Sequence, residues 1–471
     1  MKNANRILSI SALLVALGGC SADTSETTTD AQANAIELTR DTALDTAAIT
    51  ASALSPPSMP PVDSPRLAHL GDYAVGTVTE TVTIDNSIRL TPTASRFVEE
   101  TRSLSVRVWY PASTADDAAH IQYTRALPLF DGSVVDIVLP GIAVDAAAPI
   151  NGETFPLIVA SHGFGGWATS MTNLTENLAS KGYVVVAIDH EDVPSDPMAG
   201  PFAFPNVVIH RSHDQRAVIK AMTQSNERAP VDFRALINRE QIGLIGYSMG
   251  GFGAIATLGA SYDADGASLQ RLNLPTPAMD QLLANDNAGV DSAVLLAPWG
   301  AQSDVRAWPA DALASVDQPV LLVGGDLDDV SMYDDGIRWL YQNMTGSPRS
   351  LLTYQMARHN VANNPLHRYV PNLQKRFPSI EYFAEPVWRS DRINAINQHF
   401  ITAFFDSTLK GHTAHGDYLD VPTTLAVDGE WPLGFGQAAG DQVAGDAQPE
   451  YWPGFHRRWA VGLKLEQAAP K

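Results

Sequence analysis

The sequence predicts an α/β domain built on a mainly parallel sheet. Runs apolar on both faces recur at 155–160, 183–188, 241–246, 292–297 and 319–323, as strands buried between two helical layers require. Segments of helical composition fall between them, at 169–180, 206–224, 249–260 and 333–344. A run over 351–356 reads as the final strand of this series, and 392–410 as the last helix before the tail. Upstream, 77–84 and 103–110 alternate apolar and polar residues in the manner of strands. The polar stretch from there to about 153 reads as an insertion. Residues 412–453 are rich in Gly, Asp and Ala and are expected to be irregular, whereas 451–465 carry aromatics suited to packing back on the domain.

A chain of 471 residues with 45% hydrophobic and 18% charged residues can bury a substantial core. Its formal net charge of −21 argues against a nucleic-acid binder, which needs Lys and Arg to replace counterions on phosphate. The same charge disfavours adsorption to anionic membranes and repels anionic substrates, so a neutral small molecule is the expected partner.

Cys20 is the single cysteine, which excludes an intramolecular disulfide and a cysteine-based metal site. Lys2 and Arg6 precede a mostly apolar stretch over 7–17, too short for a bilayer span of roughly 20 residues. It ends in Leu17-Gly18-Gly19-Cys20, which resembles the lipobox of bacterial lipoproteins, cut before a cysteine that carries lipid. Residues 1–20 therefore read as a lipoprotein signal, 21–66 as a disordered tether poor in aromatics, and 67–471 as the folded domain. Ser21 in place of an aspartate resembles outer-membrane sorting, so the expected location is the cell envelope, with the chain anchored to the membrane through Cys20.

The strongest motif is Gly246-Tyr247-Ser248-Met249-Gly250, set between an apolar strand and an Ala- and Gly-rich helical segment. A strand–turn–helix of this kind lifts a serine hydroxyl above the sheet at a helix N-terminus. Serine is a poor nucleophile until a base takes its proton and a carboxylate orients that base. Downstream lie Gly324-Gly325-Asp326-Leu327-Asp328-Asp329 after one strand and Ala357-Arg358-His359-Asn360 after the next. The order Ser, acid, His is that of the α/β-hydrolase fold, and Asp328 and His359 are the expected partners. Asp326 and Asp329 are the rival acids and His367 the rival base. Oxyanion donors are expected at the Met249 N–H and, in the glycine-rich loop 161–166, at the Phe164 N–H. His162 is expected to hydrogen-bond within that loop. Asp189-His190-Glu191-Asp192 reads as a rim loop and not a metal cluster. Trp299 and Trp388 could line an acyl pocket, although core or lid packing is the commoner role of such rings.

Taken with Gly71-Asp72-Tyr73-Ala74-Val75-Gly76, Arg107-Val108-Trp109-Tyr110-Pro111 and Ile396-Asn397-Gln398-His399-Phe400, these motifs resemble the platelet-activating-factor acetylhydrolase and dienelactone-hydrolase-like esterases, a bacterial branch of the α/β-hydrolase superfamily. The resemblance implies ester hydrolysis through an acyl-enzyme, without cofactor or metal, on a fold whose inserts form a lid region. True dienelactone hydrolases use a cysteine nucleophile, and the one cysteine here is Cys20. Inserts over 112–153, 262–287 and 361–389 leave the substrate open. A cutinase-like polyesterase and a catalytically idle surface-binding lipoprotein are the alternatives.

Overall fold

Two long strands, β1 (Ala74–Leu90) and β2 (Phe97–Ser113), open the fold as an antiparallel hairpin. The computed structural model describes residues 54–92, 96–115, 117–128, 134–192, 200–224, 231–284, 288–370, 381, 383–431 and 451–471. The insertion after β2 has strands of its own: β3 (Gln122–Pro128) and β4 (Val134–Pro140) pair as a second small sheet, followed by the two-residue strands β5 (Val144–Asp145) and β6 (Ala148–Pro149). The parallel strands follow as β7 (Phe155–Ser161), β8 (Val184–Ile188), β9 (Ile237–Tyr247), β10 (Ser292–Leu296), β11 (Val320–Gly325) and β12 (Arg349–Tyr354). A last strand, β13 (Leu463–Ala468), runs antiparallel to β12.

Among the described residues the main sheet has 11 strands in the order β13-β12-β11-β10-β9-β7-β8-β2-β1-β5, with β6 beside β2. This is the mainly parallel α/β-hydrolase arrangement that the sequence predicts. Every residue of β7, β8, β10, β11 and β12 is buried, because helices cover both faces. The helices Thr172–Ser180 and Ser390–Thr408 pack together, as do Gly200–Gln224 and Met249–Thr257. The chain reverses direction of winding between β7 and β9, and a crevice at such a switch point, outside the carboxyl ends of the strands, is where ligands bind.

The hairpin is longer than its alternation suggests. Val106 of β2 pairs with Ile188, the last residue of β8, so residues 97–102 and their partners in β1 project past the carboxyl ends of the parallel strands. Side chains from the helices Gly200–Gln224 and Thr276–Leu283 hold this projection: Asn206 Oδ1 accepts from Leu90 N at 2.7 Å, Gln281 Oε1 from Ile88 N at 2.7 Å, and His210 Nε2 donates to Ile88 O at 2.7 Å. The hairpin and residues 262–284 of the insert therefore stand on the rim side of the sheet.

Near both ends the chain packs on the domain, as the aromatics of 451–465 suggest for one of them. Residues 54–66, read as the end of a tether, are docked on the domain. Ser58, fully buried, donates to Glu176 Oε2 at 2.7 Å, and Asp63 is ion-paired with Arg389 at 2.9 Å and Arg392 at 3.2 Å. At the other end, Tyr451, Trp452 and Phe455 are buried against the Ser390–Thr408 helix, and the chain finishes as β13 on the sheet edge, which would otherwise expose unpaired backbone. The remainder of the expected tether, the signal segment and Cys20 lie outside the described residues, as does 432–450 of the expected irregular tail. Among the described residues no helix is long and apolar enough to cross a membrane.

The docked arm gives a stability test. Removing the Ser58 partner of buried Glu176 costs about 1–3 kcal/mol. A chain beginning at Gly71 is therefore expected to melt several degrees below one beginning at Leu54, as read by differential scanning fluorimetry. Equal melting temperatures would mean that the arm contributes nothing.

Candidate active site

Ser248 leaves β9 with φ 51° and ψ −113°, a conformation that L-residues rarely adopt, and caps the helix Met249–Thr257. Its position follows from the glycines around it. A Cβ on Gly250 would lie 2.0 Å from Ser161 O, and one on Gly246 would lie 2.5 Å from Gly250 O. The turn is fastened by Ser248 N donating to Leu296 O at 2.9 Å, and by Phe252 N and Trp299 N donating to Ser248 O at 3.0 and 3.1 Å. Gln215 Nε2 donates to Gly250 O at 2.9 Å.

The three residues expected to act together converge. His359 Nε2 lies 3.1 Å from Ser248 Oγ, and His359 Nδ1 lies 2.8 Å from Asp328 Oδ2. Asp328 Oδ1 accepts from Val330 N at 2.9 Å and Ser331 N at 2.8 Å. Burial opposes ionisation of Asp328, but the His359 contact and these two amides outweigh it and hold the carboxyl below the usual aspartate range. The rival acids are engaged elsewhere: Asp326 accepts from Met356 N at 2.6 Å, and Asp329 is ion-paired with Arg358 at 2.9 Å. His367 sits on the exposed turn Leu366–Arg368.

The glycine-rich loop after β7 lies against the nucleophile, since a Cβ on Gly163 would be 3.3 Å from Ser248 Cβ and 3.0 Å from the Tyr247 ring. That places Phe164 beside Ser248, while Met249 begins the helix, where N–H groups have no intrahelical acceptor. The loop rests on buried charge. His162 Nδ1 donates to Gly163 O at 2.6 Å and its Nε2 accepts from His190 N at 3.2 Å. His190 Nδ1 donates to Asp214 at 2.9 Å, leaving Nε2 to accept from Ser161 Oγ at 2.8 Å. Burial, then the Arg211 guanidinium, lowers the pKa of both imidazoles, which keeps them neutral as these bonds require. Asp192 Oδ2 accepts from Gly165 N at 2.8 Å and pairs with Arg211 at 2.6 Å. Asp189, His190 and Asp192 are thus split among separate partners, with Asp189 paired to Arg125 of the β3–β4 hairpin at 2.8 Å.

Sequence reasoning missed Asp192, Arg211, Asp214 and Glu385, whose partners lie 19 or more residues away in the chain. Glu385 Oε2 and Oε1 accept from Arg358 N and Asn360 N at 2.5 and 2.8 Å. Trp299 is partly buried beside the nucleophile, and Phe204 bridges it to Phe164, with ring centroids 5.5 and 6.1 Å apart. Trp388 instead packs edge-on against Tyr354 and donates to Gln355 O at 2.7 Å. For metals, Asp406, His412 and His415 offer donor atoms within 4.8 Å of one another. Asp406 already pairs with Lys410 at 3.0 Å and His415 at 2.6 Å, and it contacts Tyr183 at the opposite end of β8 from the site.

A hydroxyl on a strained elbow, an imidazole within reach of it and a buried carboxylate behind that imidazole define a serine hydrolase of the α/β-hydrolase type. A family model described as platelet-activating factor acetylhydrolase, isoform II, matches residues 67–227. Cutinase 1 of Thermobifida cellulosilytica is 24% identical over 233 residues, 49% of this chain and 71% of that protein. The bis(hydroxyethyl) terephthalate hydrolase of Streptomyces coelicolor is 24% identical over 228 residues, 48% of this chain and 57% of that protein. The ferulic acid esterase structure from Streptomyces cinnamoneus superposes with a TM-score of 0.50 at 22% identity, covering 74% of this chain and 94% of that one, and shares the fold. The chain has the α/β-hydrolase fold and is a carboxylic-ester hydrolase.

Asp192→Asn tests the buried support of the loop. Leaving the Arg211 charge uncompensated is expected to cost about 3–5 kcal/mol at neutral pH. Because the Asp192 pKa is lowered in the fold, its contribution is full above the ordinary carboxylate range and is lost as pH falls through the lowered value. In urea titrations the gap between wild type and Asp192→Asn should therefore narrow on acidification. A gap independent of pH would contradict the ion pair.

Proposed function

We propose that the chain hydrolyses neutral carboxylic esters by nucleophilic catalysis at Ser248, while tethered to the cell envelope through lipid on Cys20. The observation that carries the catalytic reading is the unbroken contact chain from Ser248 Oγ through His359 to Asp328. His359 takes the Ser248 proton as Oγ attacks the ester carbonyl, and the Met249 and Phe164 N–H groups receive the oxyanion. The imidazolium returns the proton to the departing alcohol. Water, activated by the same imidazole, then cleaves the acyl-enzyme. Asp328 holds Nδ1–H in place and stabilises the cation throughout.

The substrate reading rests on the aromatic rings beside the nucleophile. Phe164, Phe204 and Trp299, packed tilted and edge to face, offer an apolar aromatic wall next to Ser248, suited to an aromatic acyl group. Terephthalate and ferulate, in the names of two relatives, are both aromatic acids. The cutinase relatives favour a second reading, a polyesterase acting at a polymer surface. The envelope location is supported by the basic n-region, the short apolar stretch and the Leu17-Gly18-Gly19-Cys20 motif.

A panel of short and long p-nitrophenyl esters, aromatic-acid esters and a polyester film tests these readings. Ser248→Ala should lose on the order of 10⁶-fold in kcat, as when a triad fails as a unit. Trp299→Ala should raise KM for aromatic-acid esters more than for acetyl esters. Undiminished turnover by Ser248→Ala would sink the mechanism, and equal KM changes would sink the aromatic wall. Efficient film hydrolysis would favour the polyesterase.

A further inference from the structure

The base sits at the centre of a three-residue run, Arg358-His359-Asn360, that is gripped by Glu381 and Glu385. Glu385, 9% exposed, takes the main-chain N–H groups on both sides of His359 with its two carboxylate oxygens, at 2.5 and 2.8 Å. Glu381 adds a contact to each flanking side chain: its carboxylate accepts from Arg358 Nη1 at 2.6 Å and its carbonyl from Asn360 Nδ2 at 2.6 Å. Arg358 spends its remaining donors on Asp329, which directly follows Asp328.

Resting on the reading of His359 as the base, we propose that Glu385 is its positioning residue. One carboxylate fixes the Ala357–Arg358 and His359–Asn360 peptide planes, which sets the direction of the imidazole toward Ser248. The same negative charge stabilises the imidazolium that forms during the reaction. The arrangement resembles an anion bound by two backbone amides of one turn, here the turn that carries His359. Loops wander more than strands, and a base displaced by about 1 Å can cost 10²-fold in rate. The groups facing His359 are Asp328, the Tyr247 ring at 5.4 Å and the Glu385 carboxylate behind its backbone, while Arg358 is turned to Asp329 and Glu381. His367, Arg368, Arg389 and Asp391 share a cavity with Glu385 on its other side.

The test compares kcat, KM and the pH profile of kcat/KM for wild type, Glu385→Gln, Glu385→Asp and His359→Ala, with near-UV circular dichroism confirming the fold. Glu385→Gln keeps the shape but replaces one acceptor by a donor and removes the charge. Its kcat should fall roughly 10- to 100-fold with KM little changed. Its acid limb should move to lower pH, because an imidazolium without the nearby carboxylate loses its proton more readily. Glu385→Asp keeps the charge but is too short to hold both amides, so kcat should fall while the limb stays near its wild-type position. Wild-type kcat and an unmoved limb in Glu385→Gln, with His359→Ala inactive, would overturn the positioning role alone. Should Glu385→Gln not fold, wild-type kcat in Glu385→Asp would overturn it. Full activity in His359→Ala would overturn the underlying assignment of the base and this proposal with it.

Discussion

The contact between Gly250 and Ser161 O allows no side chain: a Cβ there would stand 2.0 Å from the oxygen. Bare backbone at this point lets the helix after β9 press against the end of β7, and that pressure sets most of the site. It forces Ser248 into a backbone conformation costing of order 1–3 kcal/mol, which persists only because Leu296, Phe252 and Trp299 hold the residue from three directions. It also brings the 162–166 loop alongside the nucleophile, so that hydroxyl, helix N-terminus and loop amides share one small region. Larger residues at 246 or 250 would separate them.

Around this contact the parallel sheet acts as a delivery device. Ser248, the 162–166 loop, Asp328 and His359 leave the carboxyl ends of β9, β7, β11 and β12, which lie side by side or one strand apart. Each loop is then locked by burying a polar group with its partner: Asp328 on two amides, Gly165 on the Asp192–Arg211 pair, and the neighbours of His359 on Glu385. Such pairs are weak contributors to overall stability, because desolvation offsets most of their attraction. Their effect is to specify geometry, since every alternative placement leaves a buried charge unsatisfied.

The strands, the helices and the three contact residues were legible in the sequence because each leaves a local trace. Buried parallel strands read as unbroken apolar runs, the elbow as two glycines about a serine, and the acid and base as short motifs after consecutive strands. Asp328 stood out from Asp326 and Asp329 by spacing alone, and the structure turns the other two toward Met356 and Arg358. What was not legible depends on distant partners. Nothing around Glu385 or Asp192 marks either as a support for a loop 25 to 27 residues away. Composition likewise marked 54–66 as a tether, although Ser58 and Asp63 find partners 118 and 326 residues further on. The distal half of the β1–β2 hairpin escaped because its alternation is broken where the register shifts between Ile84 and Ser87.

Covalent capture by a fluorophosphonate, with the modified residue located by peptide mass spectrometry, tests the central claim most directly. It requires the serine, the base and the oxyanion donors together, and no knowledge of the natural ester. The account predicts a single adduct on Ser248, formed rapidly in wild type and slowed by orders of magnitude when His359 is replaced by alanine. Adduct formation on another residue, or an equal labelling rate without His359, would contradict it.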